Sequence, residues 1–375
     1  MTSQALDVPE IGSSFELVQE KYLAQSTSRR FPWQEDPDTI YLESGRQALA
    51  VVEAELRSQG HSYLHVPAYL CDSMIAAFQG NAFQRHAGWT LRSLPVDSDL
   101  AVRPADLLAR VTAGVLLHTP YFGRQDSAAM LDALDTLRQR GVVVVVDETH
   151  RVLSGPSQVA DIRVASLRKM LPLYDGGYVT GLSLTAGPLP PSLQSVARES
   201  EVIGSEVAVL RQAAMLCKSN ALAAGDDNET HRALFAEVEH ATESRTQPAR
   251  MSVDSLSLLN GLDLELIRTT RQTNSTLLAQ ALGRSDQGGR FRVVNPPSED
   301  LLPFYLLLET DQVAGLRQYM AEQRIYCPVH WPPSVLLPRT SKWPSRYLSL
   351  PIDQRYCEAD MLRMAVCVAT FFAEN

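Results

Sequence analysis

Several absences bound the reading before any motif does. The 375 residues include only five cysteines, Cys71, Cys217, Cys327, Cys357 and Cys367. They are far apart, with no Cys-x-x-Cys pair and no Cys/His group at metal-ligand spacing, so reduced thiols are expected and neither a disulfide framework nor a metal site is. Positive charge is not in excess: the net charge is −9. No basic field therefore points to nucleic acid or to an anionic membrane surface. No apolar run approaches the roughly eighteen residues that a membrane span needs. The opening "MTSQALDVPEIG" has no basic stretch followed by an apolar one, so no export signal is expected and the expected location is cytoplasmic. There is no sign of repeats. No Gly-x-Gly-x-x-Gly follows the first strand, which argues against a nucleotide-dependent oxidoreductase on a Rossmann sheet.

What is present is an ordinary globular balance, 45% apolar and 21% charged residues, in a chain long enough for one large or two medium domains. From about residue 41 two kinds of segment alternate. "SYLHVPAY", "AGVLLHTPYFG", "GVVVVVDETH", "DIRVASL" and "GGYVTGLSL" are short apolar or β-branched runs bounded by Gly, Pro or Asp, and read as buried strands. Arg46 to Gln59 and Asp126 to Arg140 carry apolar residues at helical spacing. Strands alternating with helices predict an α/β fold with a mostly parallel sheet covered on both faces. After about residue 190 the pattern is mainly helical, and a smaller α/β unit follows, ending in a helix from about Glu358. The expected plan is an N-terminal segment, 1–40, docking on the small domain, a large domain, 41–245, and a C-terminal small domain, 246–375.

Ligands of parallel sheets bind beyond the C-terminal strand ends. Five valines in "VVVVVDETH" deliver Asp147 to such an end. A carboxylate there is costly to bury unless a cation or strong donor meets it, although a helix cap or a local salt bridge would serve. "DIRVASL" leads to Ser166, Arg168 and Lys169, followed by an Asp-Gly-Gly turn whose glycines let backbone approach a ligand closely. A lone lysine is ordinarily a solvated surface charge. Between two strand-like segments it is expected to be buried, and a desolvated amine can form a Schiff base with a carbonyl. Ser44 and Gly45 open a good helix, which is either a plain serine cap or a phosphate site. Together, a phosphate-binding helix start, a strand-end carboxylate and a downstream lysine are the parts that pyridoxal 5'-phosphate (PLP) requires.

These segments resemble those of the fold-type I PLP enzymes, specifically the DegT/DnrJ/EryC1/StrS sugar aminotransferases, from about Ser44 to the C-terminus. "SLRKMLPLYDGG" is similar to the family's Ser-x-x-Lys…(Asp/Glu)-Gly-Gly segment, which implies that Lys169 carries the cofactor with Ser166 near its phosphate. "VVDETH" is similar to Glu-Asp-Ala-Ala-His and implies Asp147 at the pyridine nitrogen and His150 beside the ring. "SGRQAL" stands for Gly-Thr-x-Ala-Leu, putting the backbone of Gly45, Arg46 and Gln47 at the phosphate, with Arg46 in place of a threonine. In "VPAYLCDS" the family's ring-stacking position falls nearest Cys71, and the neighbouring aromatic Tyr69 is preferred because a flat ring stacks better than a thiol. "HTPYFG", with Tyr121, resembles the family's His-Tyr-x-Gly strand end, and "YCPVHW", with His330, its late Pro-x-His loop. Ser166 stands only three residues before Lys169, closer than in many members, and no Gly-Tyr-Asn segment is found.

The resemblance implies an aminotransferase that moves an amino group from glutamate or glutamine to a keto compound, either a nucleotide-linked sugar or a secondary-metabolite intermediate. It further implies a homodimer with shared sites. Arg268 and Arg271, in "LIRTTRQTN", are candidates for pairing a substrate carboxylate or phosphate; otherwise they lie on a solvated helix face. His330 either contacts substrate or packs. Elimination, decarboxylation, racemisation or substitution at Cα would use the same residues. A cofactor-bearing regulator would be expected to lack the Lys–Asp pair or to carry a DNA-binding extension.

Overall fold

The computed structural model describes residues 9–24, 30–79, 88–182, 205–225, 230–245, 248–285, 288–298, 301–337 and 343–374. Its centre is a seven-stranded sheet built from β2 (Ile40–Leu42), β3 (Tyr63–Pro67), β4 (Thr90–Leu94), β5 (Val115–His118), β6 (Val143–Asp147), β7 (Ile162–Ser166) and β8 (Gly177–Thr180). Strand β1 (Ile11–Gly12) lies outside it. The order across the sheet is β2-β8-β7-β6-β5-β3-β4, and only β8 runs against the rest. This is the α/β, mostly parallel architecture expected from the alternating segments. Strands β2 and β4 were not among the apolar runs, because β4 alternates exposed and half-buried residues and β2 is only three residues long.

Side chains of consecutive strand residues point to opposite faces, so each strand feeds two cores. Val115, Leu117 and Val145 pack with the Gly45–Ser58 helix on one face, while Leu116, Val144 and Val146 pack with the Ala128–Gln139 helix on the other. The continuous valine run of β6 is therefore buried on both sides, as a central parallel strand requires.

The C-terminal part holds a three-stranded antiparallel sheet in the order β12 (Tyr347–Leu350), β10 (Leu306–Glu309), β9 (Arg292–Val293). The helices Leu264–Ser285, Val313–Glu322 and Glu358–Glu374 bury their apolar faces with it. Strand β1 pairs in parallel with β11 (Ile325–Tyr326), and Tyr356 accepts the Gly12 N–H through its hydroxyl. Further along, Trp33 stacks on Tyr178 of the central sheet at 5.2 Å. No helix among the described residues is long and apolar enough to cross a membrane, and no group of three or more His, Cys, Asp or Glu among them is placed to hold a metal ion.

Candidate active site

Strand β6 ends in two carboxylates with different surroundings. Glu148 is buried and fully used: Tyr178 donates its hydroxyl at 2.8 Å, Ser157 its N–H at 2.6 Å, and Arg163 lies 3.8 Å away. Asp147 has far less. Its Oδ1 accepts the Thr149 N–H at 2.9 Å, and the Thr149 hydroxyl also reaches it. Burial pushes the Asp147 carboxyl up, and Thr149 and the charge of Lys169 only partly offset that. The Thr149 hydroxyl in turn accepts the Ser166 N–H at 2.9 Å, so one threonine ties the ends of β6 and β7 together. Nothing in the sequence singled out Thr149.

The Gly45–Ser58 helix starts against these strand ends. Ser44 is its cap, accepting the Gln47 N–H at 3.3 Å. Two glycines make the approach possible. A Cβ on Gly45 would meet the Ser166 Cβ at 2.9 Å, and one on Gly177 would meet the Gly45 nitrogen and the Ser44 carbonyl carbon at 2.5 Å. The N–H groups of Gly45 and Arg46, in the first turn, are left without helical acceptors and border a cavity of about 400 Å³. Asp147, Thr149, Ser166, Arg168 and Lys169 border the same cavity. Ser166 is only 7% exposed, and its hydroxyl makes no hydrogen bond among the described residues.

Lys169 ends the short turn Leu167–Lys169 and sits where this cavity meets an outer cleft of about 540 Å³. Its side chain is exposed, not buried as the flanking segments suggested: the turn swings it out of the apolar layer while Leu167 and Met170 enter the core. Cys71 and Arg168 border both spaces; His330 borders the outer one, with Nδ1 2.8 Å from the Ser349 hydroxyl. Burial and the Lys169 charge hold the His330 imidazole down at about 3.

A feature with no counterpart in the sequence reading is the acidic face of the Thr230–Ser244 helix. Glu243 pairs with Arg46 at 3.0 Å, and Glu239 accepts from both Arg168 at 3.1 Å and Arg211 at 2.8 Å. Partial burial pushes the Glu239 carboxyl up, but the two guanidiniums outweigh it and hold it at about 2.

Several expected residues lie elsewhere. The N–H of Gln47 is taken by Ser44 and its side chain by Glu43 at 2.8 Å and the Ala249 N–H at 2.8 Å, so it ties the helix to the following chain instead of bordering the cavity. Tyr69 is 1% exposed within an aromatic group with Tyr121, Trp331 and Trp343, while Cys71 faces the cavity. The preference for Tyr69 over Cys71 at that wall is thus reversed. His150 borders neither space: Phe122 donates its N–H to Nδ1 at 3.0 Å, and the ring stacks on Phe304 at 4.3 Å and on Trp331 at 5.7 Å. Burial drives its imidazole well below the ordinary value.

Tyr121 donates to the Tyr69 carbonyl and borders a separate cavity of about 240 Å³, beside the His118–Asp126 pair. Arg271 is neither at the cleft nor on a solvated face. It is 2% exposed and donates to Gln354 at 3.1 Å and to the Phe304 carbonyl at 2.7 Å. Arg268 is half-buried, 3.4 Å from Glu265.

Neither a protein-family model nor a curated protein sequence matches the chain. Solved structures do. The aminotransferase TlmJ of Streptoalloteichus hindustanus matches 90% of this chain and 86% of its own, with a TM-score of 0.60 at 14% identity. The candidate sugar aminotransferase Spr1654 of Streptococcus pneumoniae, in its PLP form, covers 97% and 99%, with a TM-score of 0.63 at 14% identity. DesV of S. venezuelae, in complex with a ketimine intermediate, covers 99% and 94%, with a TM-score of 0.60 at 17% identity. At these identities what is shared is the fold, over most of the length of each chain.

Proposed function

We propose that this chain is a PLP-dependent aminotransferase that passes an amino group from glutamate or glutamine to the carbonyl of a second substrate. One observation carries the reading: Asp147, the start of the Gly45–Ser58 helix, the unpartnered Ser166 hydroxyl and the Lys169 amine all border one cavity of about 400 Å³. That donor set suits the three ends of the cofactor. Asp147 would meet the ring nitrogen, the helix start and Ser166 the phosphate, and Lys169 the aldehyde. Cys71, which borders this cavity, would lie against the ring in preference to the buried Tyr69. When bound, the cofactor supplies an electron sink for a carbanion at the amino acid's α-carbon.

The protein's own part follows from its contacts. A buried carboxylate with few donors favours a cation beside it, so Asp147 would hold the ring nitrogen protonated, and Thr149 fixes where that carboxylate points. Lys169 Nζ takes the proton from the donor's α-carbon and later returns one to the acceptor's carbon. Its exposed position at the junction of the two spaces gives it reach to both. His330, kept neutral, lines the outer cleft as a hydrogen-bonding wall for substrate. Over a full turnover the donor amine becomes an oxo group and the acceptor's oxo group an amine. The likeness to a sugar aminotransferase supports a sugar-linked acceptor.

The same reading makes the working unit a cytoplasmic homodimer, with 41–245 as cofactor domain and 246–375 as small domain; of the expected docking of 1–40 on the latter, only the part around β1 is retained, because Trp33 packs on Tyr178 of the central sheet. The β1–β11 pairing supports that docking. The test is to incubate the PLP-loaded protein with L-glutamate and no acceptor. Stoichiometric 2-oxoglutarate, absent in Lys169→Ala, is expected; release of ammonia or carbon dioxide, or racemised glutamate, would replace transamination with another Cα reaction.

A further inference from the structure

We infer that the side chains of Arg46 and Arg168 form a guanidinium clamp for the phosphate group of the ligand in this cavity. The inference rests on the proposed cofactor and adds a charge-based device to the backbone site at the helix start. Arg46 is the second residue of the Gly45–Ser58 helix, and Arg168 immediately precedes Lys169. They come from different elements and border the same cavity, beside the helix N–H groups and the Ser166 hydroxyl.

Each guanidinium is held but not used up. Arg46 makes one hydrogen bond among the described residues, Nη2 to Glu243 at 3.0 Å, and Arg168 makes one, Nη1 to Glu239 at 3.1 Å. A guanidinium carries five N–H donors in a rigid fork suited to phosphate oxygens, so most of the donors on both residues remain for a ligand. The counter-ions are placed to leave them so. Glu239 and Glu243 stand one turn apart on one helix face and border the same cavity, with side chains 54% and 59% exposed. Arg355, which borders the outer cleft, shows the opposite pattern: it gives three of its nitrogens to Asp353, Glu16 and the Ser13 and Ser14 carbonyls.

The test compares binding of PLP, pyridoxal and inorganic phosphate to the wild-type protein, Arg46→Ala, Arg168→Ala and Arg168→Gln, read by calorimetry and tryptophan fluorescence. Pyridoxal has the same ring and aldehyde without the phosphate, so it reports whether the rest of the site is intact. Each substitution is expected to weaken PLP about tenfold or more, the scale of a lost charge-assisted hydrogen bond, and pyridoxal less than about twofold. Equal weakening of both, or of neither, would overturn the clamp. If the wild type binds neither PLP nor pyridoxal, the cofactor reading fails. Phosphate bound by wild type and lost in the variants would then still support the clamp, and phosphate bound equally or not at all would end it.

Discussion

Two charged regions of this molecule are built on opposite terms. Around residues 9–24 of the N-terminal segment, charges are buried and matched. Arg355 grips Asp353 through two bonds of 2.7 and 2.9 Å, and Lys218, 1% exposed, sits 2.7 Å from Glu10. At the ends of β6 and β7 the charges are under-matched among the described residues: Asp147 has only Thr149 as a hydrogen-bond partner, Arg46 and Arg168 have one bond each, and Lys169 stands exposed. The difference is one of capacity: the first set is spent on partners within the protein, although Asp353 and Arg355 border the outer cleft, and the second is not. A matched buried pair has no capacity left for a ligand, whereas an under-matched set carries unspent donors and an uncompensated carboxylate that a ligand can satisfy.

The sharpest way to break the contrast is Arg355→Ala. It strands Asp353 in the interior and should cost about 3–5 kcal/mol, read by denaturant unfolding. Asp147→Asn should do the reverse to the ligand-free protein. Because the folded carboxyl titrates above its ordinary value, ionising it works against the fold: the penalty is absent below pH about 4 and complete above the raised value. The asparagine variant should therefore be more stable than wild type at neutral pH and no more stable at acidic pH, while losing PLP affinity, read by denaturant unfolding at the two pH values.

His330 sharpens the comparison from the other side. A base held down at about 3 leaves the unfolded chain with more bound protons between pH 6.5 and 3. Wild-type stability should fall as pH drops through that window, and His330→Gln should flatten the slope in part, with His150, His65 and depressed carboxylates such as Glu239 among the groups that supply the remainder. The smallest effect belongs to Arg46→Ala, whose partner carboxylate is more than half exposed. It should change ligand-free stability by at most about 1 kcal/mol, in contrast to Arg355.

Much of this was legible in the chain itself, for reasons that also mark the limit. Asp147, Ser166, Lys169 and Gly45 could be located because a strand end or a helix start fixes position by local pattern alone. The same argument cannot say which way a residue past the strand end turns. Tyr69 turns into the core while Cys71 faces the cavity, and His150 is drawn into a stack by Phe304, which lies more than 150 residues further along. Arg271 misled for a related reason. Helical spacing predicts faces, but its buried acceptors, the Phe304 carbonyl and Gln354, come from distant chain. Glu239 and Glu243 did carry a signal, two acids at i and i+4 in "EVEHATES". What the pattern did not show was that the arginines they meet border the Lys169 cavity.

The central claim is that the Lys169 amine is the group that joins the cofactor. The direct measurement is to mix the protein with PLP, reduce with borohydride, digest, and locate the pyridoxyl mass by peptide mass spectrometry. A single label on Lys169, absent when Lys169→Ala is treated in the same way, is the predicted result. No label, or label scattered over other lysines at the same yield in both proteins, would contradict it.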